Sequence, residues 1–256
     1  KLERVRGNAA DEAWLSLSDR DEIVWARAYA LRFQVQWLRQ RPADAAAGKP
    51  ALQRAVSALL ALQPETGVWF HEYGNPFAIA TALQALHDSK QAGADVDAEK
   101  VDKGLRALLM NRTDDGAFTY NHTSRGKPRA SLESAAGRMP LCELALFLFG
   151  QSAQGKLQNA IEVGFRHHDL LAGVRKYDDH ADRHGYGGFF FWFDMLARAE
   201  ATMQLTDAGV RARLAAQQKQ LVLDLPEFDG CFVDSHELGR AYGTAMALLC
   251  LYVLSR

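Results

Sequence analysis

Cysteine is scarce in this 256-residue chain. Cys142, Cys231 and Cys250 are too few and too scattered for a disulfide framework, and they leave the redox compartment open. No apolar run reaches the roughly 18–20 residues that span a bilayer, which argues against a transmembrane helix. Charge of one sign is also missing: 30 Lys and Arg stand against 31 Asp and Glu, a net charge of −1. Without a basic surplus there is no electrostatic footprint for nucleic acid. No segment alternates apolar and polar residues for long, so strands are not expected. No signal peptide is present either. An exported chain that has lost its leader, or one part of a longer protein, reads the same, so localisation stays open.

What is there is ordinary globular material, 48% hydrophobic and 24% charged, in a chain long enough to bury about 70–75% of its unfolded surface. The periodic stretches are helical, and they repeat. Leu52, Val56 and Leu59 precede Gly67 at the same offsets at which Val101, Leu105 and Leu108 precede Gly116. Each trio steps by four and then three, the stripe of an amphipathic helix. Behind each glycine, one residue on, stands an aromatic: Trp69, Phe118 and, in Asp229-Gly230-Cys231-Phe232, Phe232. A degenerate copy sits at Gly173, after Leu157, Ile161 and Phe165, giving glycine spacings of 49, 57 and 57 residues. After each loop comes a second, more apolar helix, at Pro76–Asp88, 138–149, 187–205 and 242–254. Asn75-Pro76 is an N-cap followed by proline at the first helical position. A leading helix over 21–40, with the stripe Ile23, Ala26, Ala30, Phe33 and Trp37, is of the second type. The pattern predicts one all-helical domain over 1–256, with repeat units near 51–90, 97–150, 154–205 and 208–256. Alternation of wholly apolar and one-stripe helices predicts about five hairpins arranged as an inner and an outer ring, an α/α toroid. An open solenoid is the competing arrangement.

An amphipathic helix, a loop reading Asp-Gly-x-aromatic and a small-residue helix together resemble the repeat of the terpenoid cyclase and protein prenyltransferase superfamily. The passages are Gln63-Pro64-Glu65-Thr66-Gly67-Val68-Trp69, Asp114-Asp115-Gly116-Ala117-Phe118, Asp229-Gly230-Cys231-Phe232 and Tyr242-Gly243-Thr244-Ala245-Met246-Ala247. The last 70 or so residues, from Gly185-Tyr186-Gly187-Gly188, are similar to bacterial prenyltransferase and squalene oxidase repeat proteins. The resemblance implies a toroid with an aromatic-lined centre that holds an apolar, isoprenoid-class ligand, with Trp69, His71, Phe118, Arg125, Phe190 and Trp192 lining it. It implies no activity by itself.

The Asp-x-Asp-Asp acid of squalene-type cyclases has no counterpart: Asp19-Arg20-Asp21-Glu22 reads as helix capping. Asp194, alone in Phe190-Phe191-Trp192-Phe193-Asp194, is the substitute acid, since burial there raises its pKa; its other reading is a polar seam paired with Arg198. Asp178-Asp179-His180-Ala181-Asp182 matches a magnesium–diphosphate string, and with His184 it offers His180, Asp182 and His184 as metal ligands for zinc or magnesium. The same residues read equally as a solvated loop. Asp229-Gly230-Cys231 matches an Asp-x-Cys zinc pair but also the repeat's turn.

Histidines gather in the loops that lead into the apolar helices: His71, His122, His180, His184 and His236. Acids and tyrosines travel with them, Tyr242 among the latter, and in a closed ring all would share one rim. Asp194, His122, His236 and Tyr242 are the catalytic candidates. One loop is long, with 24 residues from Gly116 to Pro140 against nine from Gly67 to Pro76. It brings Arg125, Lys127 and Arg129, a candidate anion clamp. Tyr120-Asn121-His122 is reminiscent of polysaccharide lyases built on helical toroids. Three function classes stay open: a binder of an apolar ligand, a carbohydrate lyase or hydrolase, and a non-catalytic module of a larger exported protein.

Overall fold

The computed structural model describes residues 17–176 and 190–256, with the side chains of the first helix from Glu22 onward. Among the described residues the protein is all-helical, with eleven α-helices. A two-residue β-pair, β1 (Phe70–His71) against β2 (Tyr73–Gly74), turns at Glu72 with φ +59°. Contacts divide the chain into unit 1, Lys1–Leu109, and unit 2, Met110–Arg256. Each is described by itself.

Unit 1 holds α1 (Leu17–Gln40), α2 (Ala45–Ala61), α3 (Pro76–Gln91) and α4 (Ala98–Leu109). The expected alternation is plain in the burial. α3 buries twelve of its sixteen residues, whereas α2 buries four of seventeen, its Leu52, Val56, Leu59 and Leu60 stripe. The Asn75 side chain starts α3 by accepting from the Ala78 N–H at 2.8 Å, and Pro76 gives up no bond at the first position. α1 departs from the sequence reading. Its buried face is Val24, Ala28, Leu31 and Val35, while Phe33 and Trp37 of the expected stripe are 51% and 43% exposed. The helix carries two apolar stripes, and α2 and α3 pack against α1 on the smooth aliphatic one.

Trp69 is the plug of unit 1. It is fully buried, and its indole Nε1 donates to Leu59 O at 3.1 Å, which satisfies the polar end. Gly104 in α4 gives it room: a Cβ there would lie 2.8 Å from Trp69 Cζ3. Gly67, at φ +81°, turns the chain where any side chain would strike the Lys103 carbonyl at 2.5 Å.

Unit 2 holds α5 (Leu132–Ala135), α6 (Met139–Leu148), α7 (Gln154–Arg166), α8 (His168–Gly173), α9 (Phe191–Met203), α10 (Ala208–Leu223) and α11 (Gly239–Val253). α6 buries eight of ten residues and α9 eleven of thirteen. α9 packs against both α6 and α11, and α7 and α10 cover them. Leu144, Leu157, Ile161, Ala201, Leu205 and Leu214 form one core cluster. Its plugs repeat those of unit 1: Phe118 is fully buried, Phe232 nearly so, and Trp192 meets Phe232 edge-on at 5.4 Å. α11 is less enclosed than its composition suggests. It buries Gly243, Met246, Ala247 and Cys250 and leaves Leu248, Leu249 and Tyr252 exposed.

Within both units an apolar helix packs more extensively on the amphipathic helix that follows it than on the one before. Short connections explain this phase. The turns after α1, α3, α6 and α9 take only a few residues, which holds their helices antiparallel and adjacent. The long glycine loops, by contrast, lead back into the next apolar helix.

Candidate functional site

The long loop of unit 2 is built around one carboxamide. Asn111 is fully buried. Its Oδ1 accepts from the Thr123 N–H at 2.7 Å and faces Thr119 Oγ1 at 2.9 Å, and its Nδ2 lies 2.9 Å from His122 Nδ1. Backbone bonds close the same loop, Thr119 N to Asn111 O at 2.9 Å and Thr113 N to Ala117 O at 2.8 Å. Residues 111–123 are thus a fixed frame, and His122 is held half-buried on it. Burial lowers the His122 pKa from the ordinary imidazole value, because the charged form loses solvent.

Arg138 fastens this frame to α6. Its Nε donates to Phe118 O at 2.9 Å and its Nη1 to Ser134 O at 2.8 Å, and the guanidinium carbon lies 5.5 Å from the Tyr120 ring centroid. Phe190, at the start of α9, meets Tyr120 edge-on at 6.3 Å and Phe193 at 6.4 Å. Tyr120, Arg138 and Phe190 therefore come together where the long loop meets the N-terminal ends of α6 and α9, and His122 is held by Asn111 on the same loop.

Two acids belong to the same end. Asp194, in the first turn of α9, is 6% exposed, and burial pushes its pKa up to about 7, opposed by Arg138 and Arg198 and reinforced by Asp234. Asp234 is fully buried. Its Oδ1 accepts from the Trp192 N–H at 3.2 Å, capping α9 from 42 residues away, while its Oδ2 has no hydrogen-bond partner among the described residues. Burial raises its pKa to about 7 against the pull of the Trp192 N–H and Arg175. The segment is pinned on both sides, by Lys176 N to Asp234 O at 2.7 Å and Trp192 Nε1 to Val233 O at 3.0 Å. The sequence reading has Asp234 only as one of the acids that travel with the loop histidines. Its signal was its place four residues after the Gly230 turn.

Deeper in unit 2, Arg198 ties three helices. It donates to Gln218 Oε1 and Gly164 O at 2.6 Å each, and lies over Phe165 at 4.3 Å. Its Nη2 meets His168 Nδ1 at 3.3 Å, and burial with that positive neighbour pushes the His168 pKa down to about 4. Glu143, buried in α6, pairs with Arg112 at 3.0 Å and accepts from Ser152.

The other sequence candidates are scattered. Trp69, Phe118 and Trp192 are core plugs with no exposed surface, so as folded they offer a ligand no contact. His71 belongs to unit 1, where its Nδ1 lies 3.3 Å from Glu22 Oε1 and its ring meets Trp25 edge-on at 5.3 Å. Arg125 and His236 are exposed, and Tyr242 is half-buried. His180, Asp182 and His184, the expected metal ligands, lie outside the described residues. Among the described residues no group of three His, Cys, Asp or Glu side chains is placed to hold a metal ion. Asp229 is a turn residue: it accepts from Cys231 N at 3.1 Å and pairs with Arg240. Asn111-Arg112-Thr113 and Asn121-His122-Thr123 fit the N-glycosylation pattern; Asn111 is fully buried and Asn121 is exposed. No helix among the described residues is long and apolar enough to cross a membrane.

No family model matches the chain, and no curated protein matches it. Among solved structures it is similar to native alpha-2-macroglobulin from Escherichia coli, spanning domain MG7 to the C-terminus. Identity there is 14% over 89% of this chain and 39% of that one, with a TM-score of 0.49. It is also similar to Salmonella alpha-2-macroglobulin reacted with methylamine, at 13% identity over 98% of this chain and 17% of that one, TM-score 0.47. The chain thus spans less than two fifths of the first structure's length and less than a fifth of the second's.

Proposed function

We propose that the protein binds a polar, ring-bearing ligand of the carbohydrate class at the loop end of unit 2 and acts on it as a lyase or hydrolase. The observation that carries this is the meeting of Tyr120 and Arg138 at the rigid loop that also holds His122, beside two acids whose pKa values burial raises to about 7. An aromatic face, a neutral imidazole and a guanidinium suit the apolar faces and oxygens of a sugar ring. A carboxyl titrating near 7 suits proton transfer at a substrate carbon or glycosidic oxygen.

The apolar-ligand reading keeps the support of the Phe190, Phe193 and Tyr120 rings. Weighing against it is the charge that the apolar helices of unit 2 bury, at Glu143, Asp194 and Arg198, where a hydrocarbon ligand would want aliphatic wall. Its fold counterpart, an α/α toroid of the terpenoid cyclase and prenyltransferase type, is supported by the alternation of apolar and amphipathic helices in both units. The reading as a non-catalytic module of a larger exported protein draws on the exposed Leu248, Leu249 and Tyr252 of α11.

The test is a panel of neutral and uronate-containing polysaccharides. Turnover is followed by ultraviolet absorbance of an unsaturated uronate and by new reducing ends, and binding by saturation-transfer NMR. Binding lost in Tyr120→Ala or Arg138→Gln, in protein whose helical circular dichroism is intact, supports the reading. No binding and no turnover, with a lipid found on the purified protein by native mass spectrometry, replaces it with the apolar-ligand reading. No binding and no lipid leaves the module.

A further inference from the structure

We propose that Asn111 locks His122 as its Nε2–H tautomer, so that this histidine serves as a hydrogen-bond donor to an acceptor oxygen of the ligand and is withheld from the role of general base. The lock stands on the loop's own hydrogen bonds. The donor role rests on the carbohydrate reading above.

The orientation of the Asn111 amide decides the tautomer, and its neighbours decide the orientation. Thr123 offers a backbone N–H 2.7 Å away, which can only donate, so the atom facing it is Oδ1. Thr119 Oγ1 has one proton and two acceptors in reach, Asn111 Oδ1 at 2.9 Å and Asn121 O at 2.7 Å, and it adapts to either. Reversing the amide would set two donors against each other at a buried site, a larger cost than leaving one hydroxyl contact unmade. With Oδ1 fixed, Nδ2 faces His122 at 2.9 Å. The amide nitrogen donates, so His122 Nδ1 accepts and carries no proton. The proton of the neutral ring is then on Nε2.

Two consequences follow. A base at Nε2 needs a lone pair there, which requires the proton to move to Nδ1, against the Asn111 amide. Protonation to imidazolium occurs at the same covered Nδ1, so the lock and the burial of His122 both oppose the charged form. The neutral ring, with its donor at Nε2, is thus favoured to lower pH than in an ordinary histidine.

The experiment is long-range 1H–15N correlation NMR of the full chain labelled at histidine, with the His122 signals assigned by loss in His122→Gln. Expected is an excess of the Nε2–H form of at least about fivefold, the ratio that one amide hydrogen bond of ordinary strength sustains. Asn111→Asp keeps both acceptor bonds toward Thr119 and Thr123 but turns an acceptor toward the ring. It is expected to move the proton to Nδ1 and to raise the pH at which the ring titrates. Asn111→Ala is expected to give averaged tautomers. An averaged or Nδ1–H signal in the wild type overturns the proposal without any variant, and so does Asn111→Asp that leaves the tautomer unchanged. A locked tautomer in protein that binds no polysaccharide instead removes the carbohydrate reading and with it the donor's partner, while the lock itself stands.

Discussion

Among the described residues, the polar side chains that unit 1 buries are Gln63, Asn75, Thr81, Gln84 and Ser89, all neutral, whereas unit 2 buries Arg138, Glu143, Asp194, Arg198 and Asp234 beside several neutral ones. Both units are made of the same two helix types, so the difference is not dictated by the repeat. In unit 1 three of these groups, Gln63, Asn75 and Ser89, serve the backbone. Gln63 Nε2 donates to Lys100 O at 2.9 Å, and Ser89 Oγ to Ala85 O at 2.7 Å. In unit 2 charges face one another across helices, at a desolvation cost that aliphatic side chains of the same size would avoid. Ionisable groups retained at that cost, with pKa values moved toward neutrality, mark the part of a protein that does chemistry more often than the part that only holds shape. The comparison is what favours unit 2 over unit 1 as the place of the proposed site.

Breaking the scaffold is expected to have the largest effect. Trp69→Ala removes a fully buried indole and its bond to Leu59 O, and should cost about 3–5 kcal/mol of unit 1 stability. Hydrogen exchange resolved by segment reads it as faster opening of α2 to α4, and the loss should be the same at pH 5 and pH 8, since no buried charge is involved. A pH-dependent loss would mean that the two cores are not as different as their compositions.

Unit 2 should answer to pH instead. Folded Asp194 titrates near 7 and an unfolded aspartate near 3.9, so between those values the unfolded chain releases a proton that the native one keeps. The acid's contribution is full below about pH 4 and is lost as the pH rises to 7; Asp234 acts in the same direction. Asp194→Asn should leave stability near pH 4 unchanged and raise it at pH 8 by on the order of 2–4 kcal/mol, read from urea midpoints. A mutant less stable at pH 8 would show that the ionised carboxylate is held by Arg138 and Arg198 after all.

His168 works the other way. Its folded pKa of about 4 lies below the unfolded value near 6.5, so its contribution is full above 6.5 and is lost as the pH falls toward 4. His168→Gln should therefore remove this rising limb and raise stability near pH 4 relative to pH 7 by about 1–3 kcal/mol. In the wild type the two acids outnumber this histidine, so the net slope between pH 4 and 6.5 is downward. Each variant uncovers the opposing limb.

Much of the fold was legible because it depends on spacing alone. The four-then-three stripe before Gly67 and Gly116 gave α2 and α4 their buried faces, and Asn75-Pro76 gave the start of α3. α1 was misread because two apolar stripes share one helix, and only the neighbouring helices show which is covered. The site was legible in part. Asp194 stood out as one acid in an aromatic run, and Tyr120 and His122 as one string. Asp234, Asn111 and Arg138 act through partners between 11 and 42 residues away, and no local pattern records such a pairing. The plug aromatics carried the opposite error. Trp69 and Phe118 look like ligand-binding residues in a loop, but both are fully buried, and Trp69 takes the room that Gly104 leaves.

The smallest effect separates two asparagines with the same post. Asn75 in unit 1 and Asn111 in unit 2 each staple the loop that follows an amphipathic helix. The Asn75 amide donates to the His71 and Tyr73 carbonyls at 3.1 Å, whereas the Asn111 amide donates to an imidazole. Asn75→Ala removes a helix cap and should cost about 1 kcal/mol, visible as a lower thermal midpoint. It should leave the 15N signals of every histidine ring where they were, since its bonds end on backbone oxygens. Asn111→Ala should move those of His122 alone. If Asn75→Ala shifts the ring signals of His71, the staple in unit 1 also holds a side chain, and the division between a structural unit and a chemical one is less sharp than the buried charges make it.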